Sequence, residues 1–342
     1  MAERLTNMKA ITRRLALVAI GTVVVAVGSL TPLLRAEPVA VEGQRQWTVR
    51  GNLPPEQFVI QSHRGAGVLE AENTLEAFEL GWKLGTYPEC DVRTTRDGQI
   101  VTFHDDNFSR VVKNIPDDMK KQGVKDVTWA ELKKLDVGAW KGEQFQGKRV
   151  VTIGEVFERM TGKPQRHLYM DIKNVDFEQL AGEVKKYHVE SQVVLASTKY
   201  DQIRLWKRLV PQSDTLHWMG GTAKTEKDGT TEATLRKRIE DLKKTNFADI
   251  TQLQIHVRMK PGATPADAEP FNPSSAFLRE VGPELREHGI VYQCLPWDVN
   301  DPKVYWRLLD LGVMSFATDH PDVTTDAVRK YYAGQTQDEG KK

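Results

Sequence analysis

The sequence predicts an α/β protein built as a (β/α)8 TIM barrel, and three observations carry that prediction. Eight short apolar runs alternate with eight amphipathic helical patterns, an order that gives a parallel sheet with helical crossovers. The alternation fills about residues 57–332 of a 342-residue chain, and a closed barrel of eight such units takes about 250 residues. Residues able to do chemistry fall where those runs end, on the face where such barrels build their sites.

The N-terminus is unlike the rest. Arg4, Lys9, Arg13 and Arg14 form a basic region, and residues 15–34 are apolar apart from Thr, Ser, Gly and Pro. Residues 1–36 therefore read as an export signal or a membrane anchor. Cut near Ala36, the segment releases the domain outside the cytoplasm; uncut, the apolar run is about long enough to span a bilayer and hold the domain on the outer face of the membrane. A polar linker, residues 37–56, is expected next.

Strands are then expected at Phe58–His63, Glu89–Thr94, His167–Ile172, Val193–Ser197, Thr215–Met219, Leu253–Val257, Val291–Leu295 and Met314–Thr318. Helices are expected at Thr74–Leu84, Gly154–Met160, Phe177–Tyr187, Tyr200–Leu209, Glu232–Lys244, Ser274–His288 and Pro302–Leu311, with a last one from Pro321. Asp97-Gly98 is a strong turn signal, so Gln99–Phe103 is read as a hairpin strand. Residues 107–150 form an insertion after strand 2, with a short helix announced by the capping box Thr128/Glu131. The polar tail, residues 333–342, is expected to be disordered.

Composition narrows the function. The chain carries 48 basic and 47 acidic residues, a net charge of +1, so no global field attracts nucleic acid. Any anion binding must be local. The two cysteines, Cys90 and Cys294, lie far apart in strand-like runs, which excludes a disulfide scaffold. Both are read as buried small apolar residues.

The densest chemistry lies between Gln61 and Asp106. Alternate residues of a strand share a face, so Glu89 and Asp91 present two carboxylates side by side. His63 and His104 bracket them, and imidazole titrates near neutral pH. Paired carboxylates with two imidazoles suggest metal-assisted acid/base chemistry.

These residues carry a resemblance. His63-Arg64-Gly65, Glu72-Asn73-Thr74, Glu89-Cys90-Asp91-Val92, Asp97-Gly98 and His104-Asp105, in this order, resemble the glycerophosphodiester phosphodiesterase family, as do Val137-Gly138-Ala139-Trp140, Trp297 and Thr318-Asp319-His320-Pro321. The resemblance implies that Glu89, Asp91 and Asp171 hold one divalent metal ion, Mg2+ or Ca2+, through hard oxygen ligands. It implies that His63 and His104 flank the scissile phosphodiester, one deprotonating the attacking hydroxyl and the other protonating the leaving oxygen. Arg64 and Lys173 suit the phosphate, and Trp297 a wall for the alcohol moiety. Glu72 reads either as a pocket residue on a substrate hydroxyl or as structural. Asn73 is a helix N-cap candidate, and Asp319 a cap for the last helix. His217 and His256 remain open as pocket residues, while His167, His188 and His288 read as structural. Asp171 departs from the Glu common in the family, and Lys199 stands where the family often has an aromatic or acidic residue.

The implied reaction is hydrolysis of a small glycerophosphodiester, or of a phospholipid, to an alcohol and sn-glycerol 3-phosphate, by way of attack from a neighbouring glycerol hydroxyl. A phospholipase D-like lyase acting on lysophospholipids or sphingolipids is the enzymatic alternative. A catalytically silent binding barrel is a third reading, and a two-carboxylate glycosidase leaves both histidines without a role.

Overall fold

The computed structural model describes residues 47–336. The expected signal or anchor, most of the linker and the end of the tail lie outside the described residues. Eight parallel strands form the barrel: β1 Val59–Ser62, β2 Tyr87–Thr94, β3 Leu168–Asn174, β4 Val193–Ser197, β5 Asp214–Met219, β6 Gln252–Met259, β7 Val291–Pro296 and β8 Ser315–Thr318. They pair in sequence order, and β1 closes the ring by pairing with both β8 and β2. Eight helices cover the outside: α1 Leu75–Lys83, α2 Ile153–Met160, α3 Phe177–Lys186, α4 Tyr200–Leu209, α5 Thr231–Lys243, α6 Ser275–Glu287, α7 Pro302–Asp310 and α8 Pro321–Tyr332.

Several helices start at a side-chain cap. Thr152 and Glu155 cap α2 reciprocally, and the Asp176, Ser274 and Asp301 side chains accept from first-turn N–H groups of α3, α6 and α7. These bonds satisfy donors that a helix start leaves free. The apolar faces then pack on the strands, and Phe78, Phe157, Trp206, Phe277 and Tyr305 are fully buried between the layers. Burial of a side chain of this size stabilises the fold by about 1.5–3 kcal/mol.

Alternation decides what faces the barrel axis. Cys90, Val92, Met170 and Cys294 point outward into the core under the helices. Glu89, Tyr169, Asp91 and Asp171 point inward, and the register pairs Glu89 with Tyr169 and Asp91 with Asp171. Two carboxylates thereby become neighbours across β2 and β3. Beneath them the interior is a network of amides. Tyr169 Oη donates to Gln252 Oε1 at 2.7 Å, Gln254 Nε2 donates to Gln61 and Gln293, and Gln293 Nε2 reaches Ser315 Oγ at 2.9 Å. Such barrels usually fill this space with branched apolar residues; here polar residues satisfy one another.

The structure differs from expectation at several points. Trp47 and Val49, inside the expected linker, pack on the barrel, and the Arg286 guanidinium covers the Trp47 ring at 3.9 Å. The barrel's packing thus begins at Trp47, before residue 57. A short helix Ala223–Lys227 follows β5, and Phe271–Asn272 pairs antiparallel with the end of β6. The hairpin strand is Ile100–Thr102, antiparallel to β2. Helix α1 is capped by Thr74, not Asn73. The insertion builds a small core of its own, in which Phe103, Phe108, Val111, Val124, Leu132 and Val137 are buried, and its Thr128/Glu131 capping box forms.

Candidate active site

His63 and Arg64 follow β1, and the loop that carries them is tied to the end of β8. The His63 N–H donates to Thr318 O at 3.0 Å and the Val68 N–H to Asp319 O at 2.8 Å. Gly67 makes this approach possible: it has a φ of +57°, and a Cβ there would lie 2.0 Å from the Asp319 carbonyl oxygen. The stitching brings His63 Nδ1 within 2.7 Å of Asp319 Oδ1. Asp319 therefore does not cap α8; the N-cap is His320, which makes no side-chain cap bond. Burial opposes the charged form of His63, but Asp319 and the Glu89 charge outweigh it and raise its pKa.

His104 follows the hairpin strand and is paired in the same manner, its Nδ1 lying 2.6 Å from Asp105 Oδ1. Arg110, from the insertion, grips Asp105 through Nε at 2.7 Å and Nη2 at 2.9 Å. The same guanidinium donates to both oxygens of Glu72, at 2.8 and 2.6 Å, and Glu72 also accepts from Arg64 at 3.1 and 3.3 Å. Burial raises the Asp105 pKa, yet the His104 and Arg110 bonds hold it well below the usual carboxylate range. Glu72 is thus a bridge between two guanidiniums and does not line the cavity holding the two histidines.

Glu89, Asp91 and Asp171 converge as the register requires, with one oxygen of each within 4.8 Å of the others. Burial and the Asp91 charge push Glu89 up to about 8. Asp91 goes the other way, to about 2, because Lys173, His104 and Arg64 outweigh its burial. Lys173 Nζ lies 3.1 Å from Asp91 Oδ1 and 2.7 Å from Asp171 Oδ2. The Arg64 N–H donates to Glu89 Oε2 at 2.7 Å, while Glu89 Oε1 is buried without a hydrogen-bond partner among the described residues. An orphaned buried carboxylate oxygen beside two further carboxylates fits a hard divalent cation. Asn73 serves this cluster: in a left-handed conformation, φ 56°, its Nδ2 donates to Asp91 Oδ2 at 2.7 Å and its Oδ1 accepts from the Asp91 N–H at 2.9 Å.

His63, Arg64, Glu89, His104, Asp171, Lys173 and Trp297 line one cavity of about 170 Å³. Asp91 is buried beneath it. Trp297 meets the His63 ring edge-on at 5.8 Å. The structure adds two groups that sequence left open or unmarked. His256 lines the cavity, stacked on Trp218 at 4.8 Å, and burial lowers its pKa to about 3, so it stays neutral. Trp218 Nε1 points toward Asp171 Oδ1 at 3.4 Å. His217 is buried away from the cavity, its Nδ1 unpartnered.

A barrel whose strand ends gather hard oxygen ligands beside paired imidazoles has the equipment to cleave a phosphodiester. Its class is that of the phosphoric diester hydrolases. Residues 63–323 match the model of the Glycerophosphoryl diester phosphodiesterase family, and the chain belongs to it. It is 26% identical over 283 residues to a glycerophosphodiester phosphodiesterase of Caldanaerobacter subterraneus subsp. tengcongensis, covering 80% of this chain and 98% of that one. It is 28% identical over 287 residues to the human Lysophospholipase D GDPD1, covering 80% and 86%. The fold matches that of an Oleispira antarctica phosphodiesterase solved with the product sn-glycerol-3-phosphate, with a TM-score of 0.56 and 22% identity over 83% of this chain and all of that one.

Proposed function

We propose that this enzyme hydrolyses glycerophosphodiesters to an alcohol and sn-glycerol 3-phosphate by acid/base catalysis between His63 and His104. The observation that carries the reading is the pair of imidazoles, each backed by an aspartate, in one cavity with the three carboxylates. An aspartate on Nδ1 fixes the tautomer and orientation of the ring, leaving Nε2 for proton transfer. One imidazole takes the proton of the glycerol hydroxyl that attacks phosphorus; the other gives a proton to the departing alcohol. A second, reversed exchange with water opens the cyclic phosphate. Arg64 and Lys173 are placed to hold the phosphate and offset its developing charge. Glu89, Asp91 and Asp171 would hold a divalent ion, Mg2+ or Ca2+, which when bound supplies further positive charge at the phosphate oxygens. Trp297 and neutral His256 meet edge-on at 5.5 Å and form one wall of the cavity.

The test is a substrate panel with purified protein in Mg2+, Ca2+ and EDTA. Glycerophosphocholine should yield choline and sn-glycerol 3-phosphate, and His63→Ala and His104→Ala should abolish turnover with folding intact. Near-normal activity in either variant, or full activity after complete metal removal, refutes the reading. Lysophosphatidylcholine turned over faster than glycerophosphocholine moves the substrate class to lysophospholipids. The basic region and apolar run of residues 1–36 support a location outside the cytoplasm, released or anchored. N-terminal sequencing of soluble and membrane fractions tests it.

A further inference from the structure

Beside the catalytic cavity lies a wider one of about 500 Å³, which shares Asp171, Lys173 and Trp218 with it. Its other lining residues come mostly from the ends of β2 to β4, the loop after His104 and the insertion, and include Arg93, Asp106, Lys125, Asn174 and Lys199. The two spaces divide a diester substrate by size. The catalytic cavity has room equivalent to roughly six water molecules, suited to a three-carbon glycerol phosphate. The wider space has room for the alcohol moiety.

The charge of that space is one-sided. Arg93 is neutralised by Asp106, with Nη2 2.7 Å from Oδ1, and Lys173 by Asp171 and Asp91. Lys125 is exposed and pairs at 2.8 Å with its chain neighbour Asp126, which lies outside the lining. Lys199 is exposed, and its ammonium makes no hydrogen bond or ion pair among the described residues. Two of the four lining cations, Lys125 and Lys199, thus have no carboxylate partner within the lining, whose own two carboxylates are engaged by Arg93 and Lys173.

Resting on the phosphodiesterase reading, we propose that Lys199 and Lys125 form a subsite for an alcohol moiety that carries its own negative charge, such as a phosphorylated polyol. The preferred substrates are then glycerophosphodiesters that carry a second negative charge on the alcohol moiety. The subsite spans the barrel and the insertion, so only a moiety seated against both elements engages both lysines.

The experiment compares sn-glycero-3-phosphoinositol with its inositol 4-phosphate derivative, which differ by one phosphate, and includes glycerophosphocholine. The parent enzyme should show a higher kcat/KM on the phosphorylated substrate, and the preference should shrink in 0.5 M salt as exposed charges are screened. Lys199→Ala and Lys125→Ala should each lower that preference by about fivefold, the scale of one exposed ion pair, while leaving turnover of unphosphorylated sn-glycero-3-phosphoinositol within twofold. Lys199→Glu should move the preference toward glycerophosphocholine. Both lysines are exposed, and unchanged thermal unfolding checks each variant's fold. Equal use of the two inositol substrates by the parent, or variants that change every substrate alike, overturns the subsite while leaving the phosphodiesterase reading standing. No turnover of any glycerophosphodiester overturns both.

Discussion

Asp319→Asn asks whether the His63 imidazole depends on its partner. The two groups are 2.7 Å apart and both side chains are less than one-fifth exposed. Burial by itself would lower the His63 pKa; the Asp319 hydrogen bond, followed by the Glu89 charge, turns the shift upward. Asparagine keeps the size and removes the charge. A hydrogen bond to a charged group contributes about 1.5–3 kcal/mol, which converts to roughly a 10- to 150-fold loss of rate. The expected outcome is a fall of that size in kcat on glycerophosphocholine with little change in KM, because Asp319 is placed against His63 and outside the cavity lining. The limb of the pH–rate profile set by His63 should move to lower pH, since the group that held its proton has lost its charge. Stopped assays from pH 5 to 9, with circular dichroism as a fold check, supply the measurement. A variant within threefold of the parent and an unchanged profile would refute Asp319 as the group that orients His63.

Two further outcomes follow from the carboxylate cluster. Asn73→Ala removes both hydrogen bonds to Asp91, and partners of this kind typically govern metal affinity by 10- to 100-fold; calorimetric titration with Mg2+ or Ca2+ should show that loss, and unchanged affinity would count against the cluster as the metal site. Glu89, at about 8, lies above its ordinary carboxylate value, and His63 is raised as well. Both groups bind protons more tightly folded than unfolded, so the metal-free protein should be more stable near pH 5 than pH 8 by a few kcal/mol, on the order of what linkage gives. Saturating metal should flatten that slope in thermal unfolding.

The barrel was legible because its signals are local and repeated. Apolar runs of strand length, capping residues such as Thr152 and Ser274, and the Asp97-Gly98 turn each announce an element without reference to the rest of the chain. Glu89 and Asp91 were readable as a pair for the same reason, because alternation along one strand is a property of a few residues. The partner of His63 was not. His63 meets Asp319 across 256 positions of sequence, a contact made only when β8 closes on β1. Asp319 looked like a helix cap because it stands two residues before Pro321, and a cap is the local reading of that pattern. Asn73 misled in the same manner: it precedes α1, but its side chain is spent on Asp91 while Thr74 caps the helix. Glu72 seemed free to meet substrate because nothing near it in sequence reveals Arg110, 38 positions on. His256 and Trp218 gave no motif at all. Their place at the mouth follows from barrel closure, and only their position at strand ends hinted at it.

The insertion has a consequence for where the enzyme is weakest. His104 stands at its threshold, Arg110 and Lys125 belong to it, and Phe103, Phe108, Val124 and Leu132 knit it into a cluster separate from the core under the barrel helices. A small satellite of this kind opens at lower free energy than the barrel that supports it. The His104 imidazole therefore belongs to the less stable partner, and if it acts in turnover as proposed, mild denaturant should silence activity while the eight strands remain protected from hydrogen exchange. Evolution can also rework this patch for a new alcohol without disturbing the residues that hold the barrel closed.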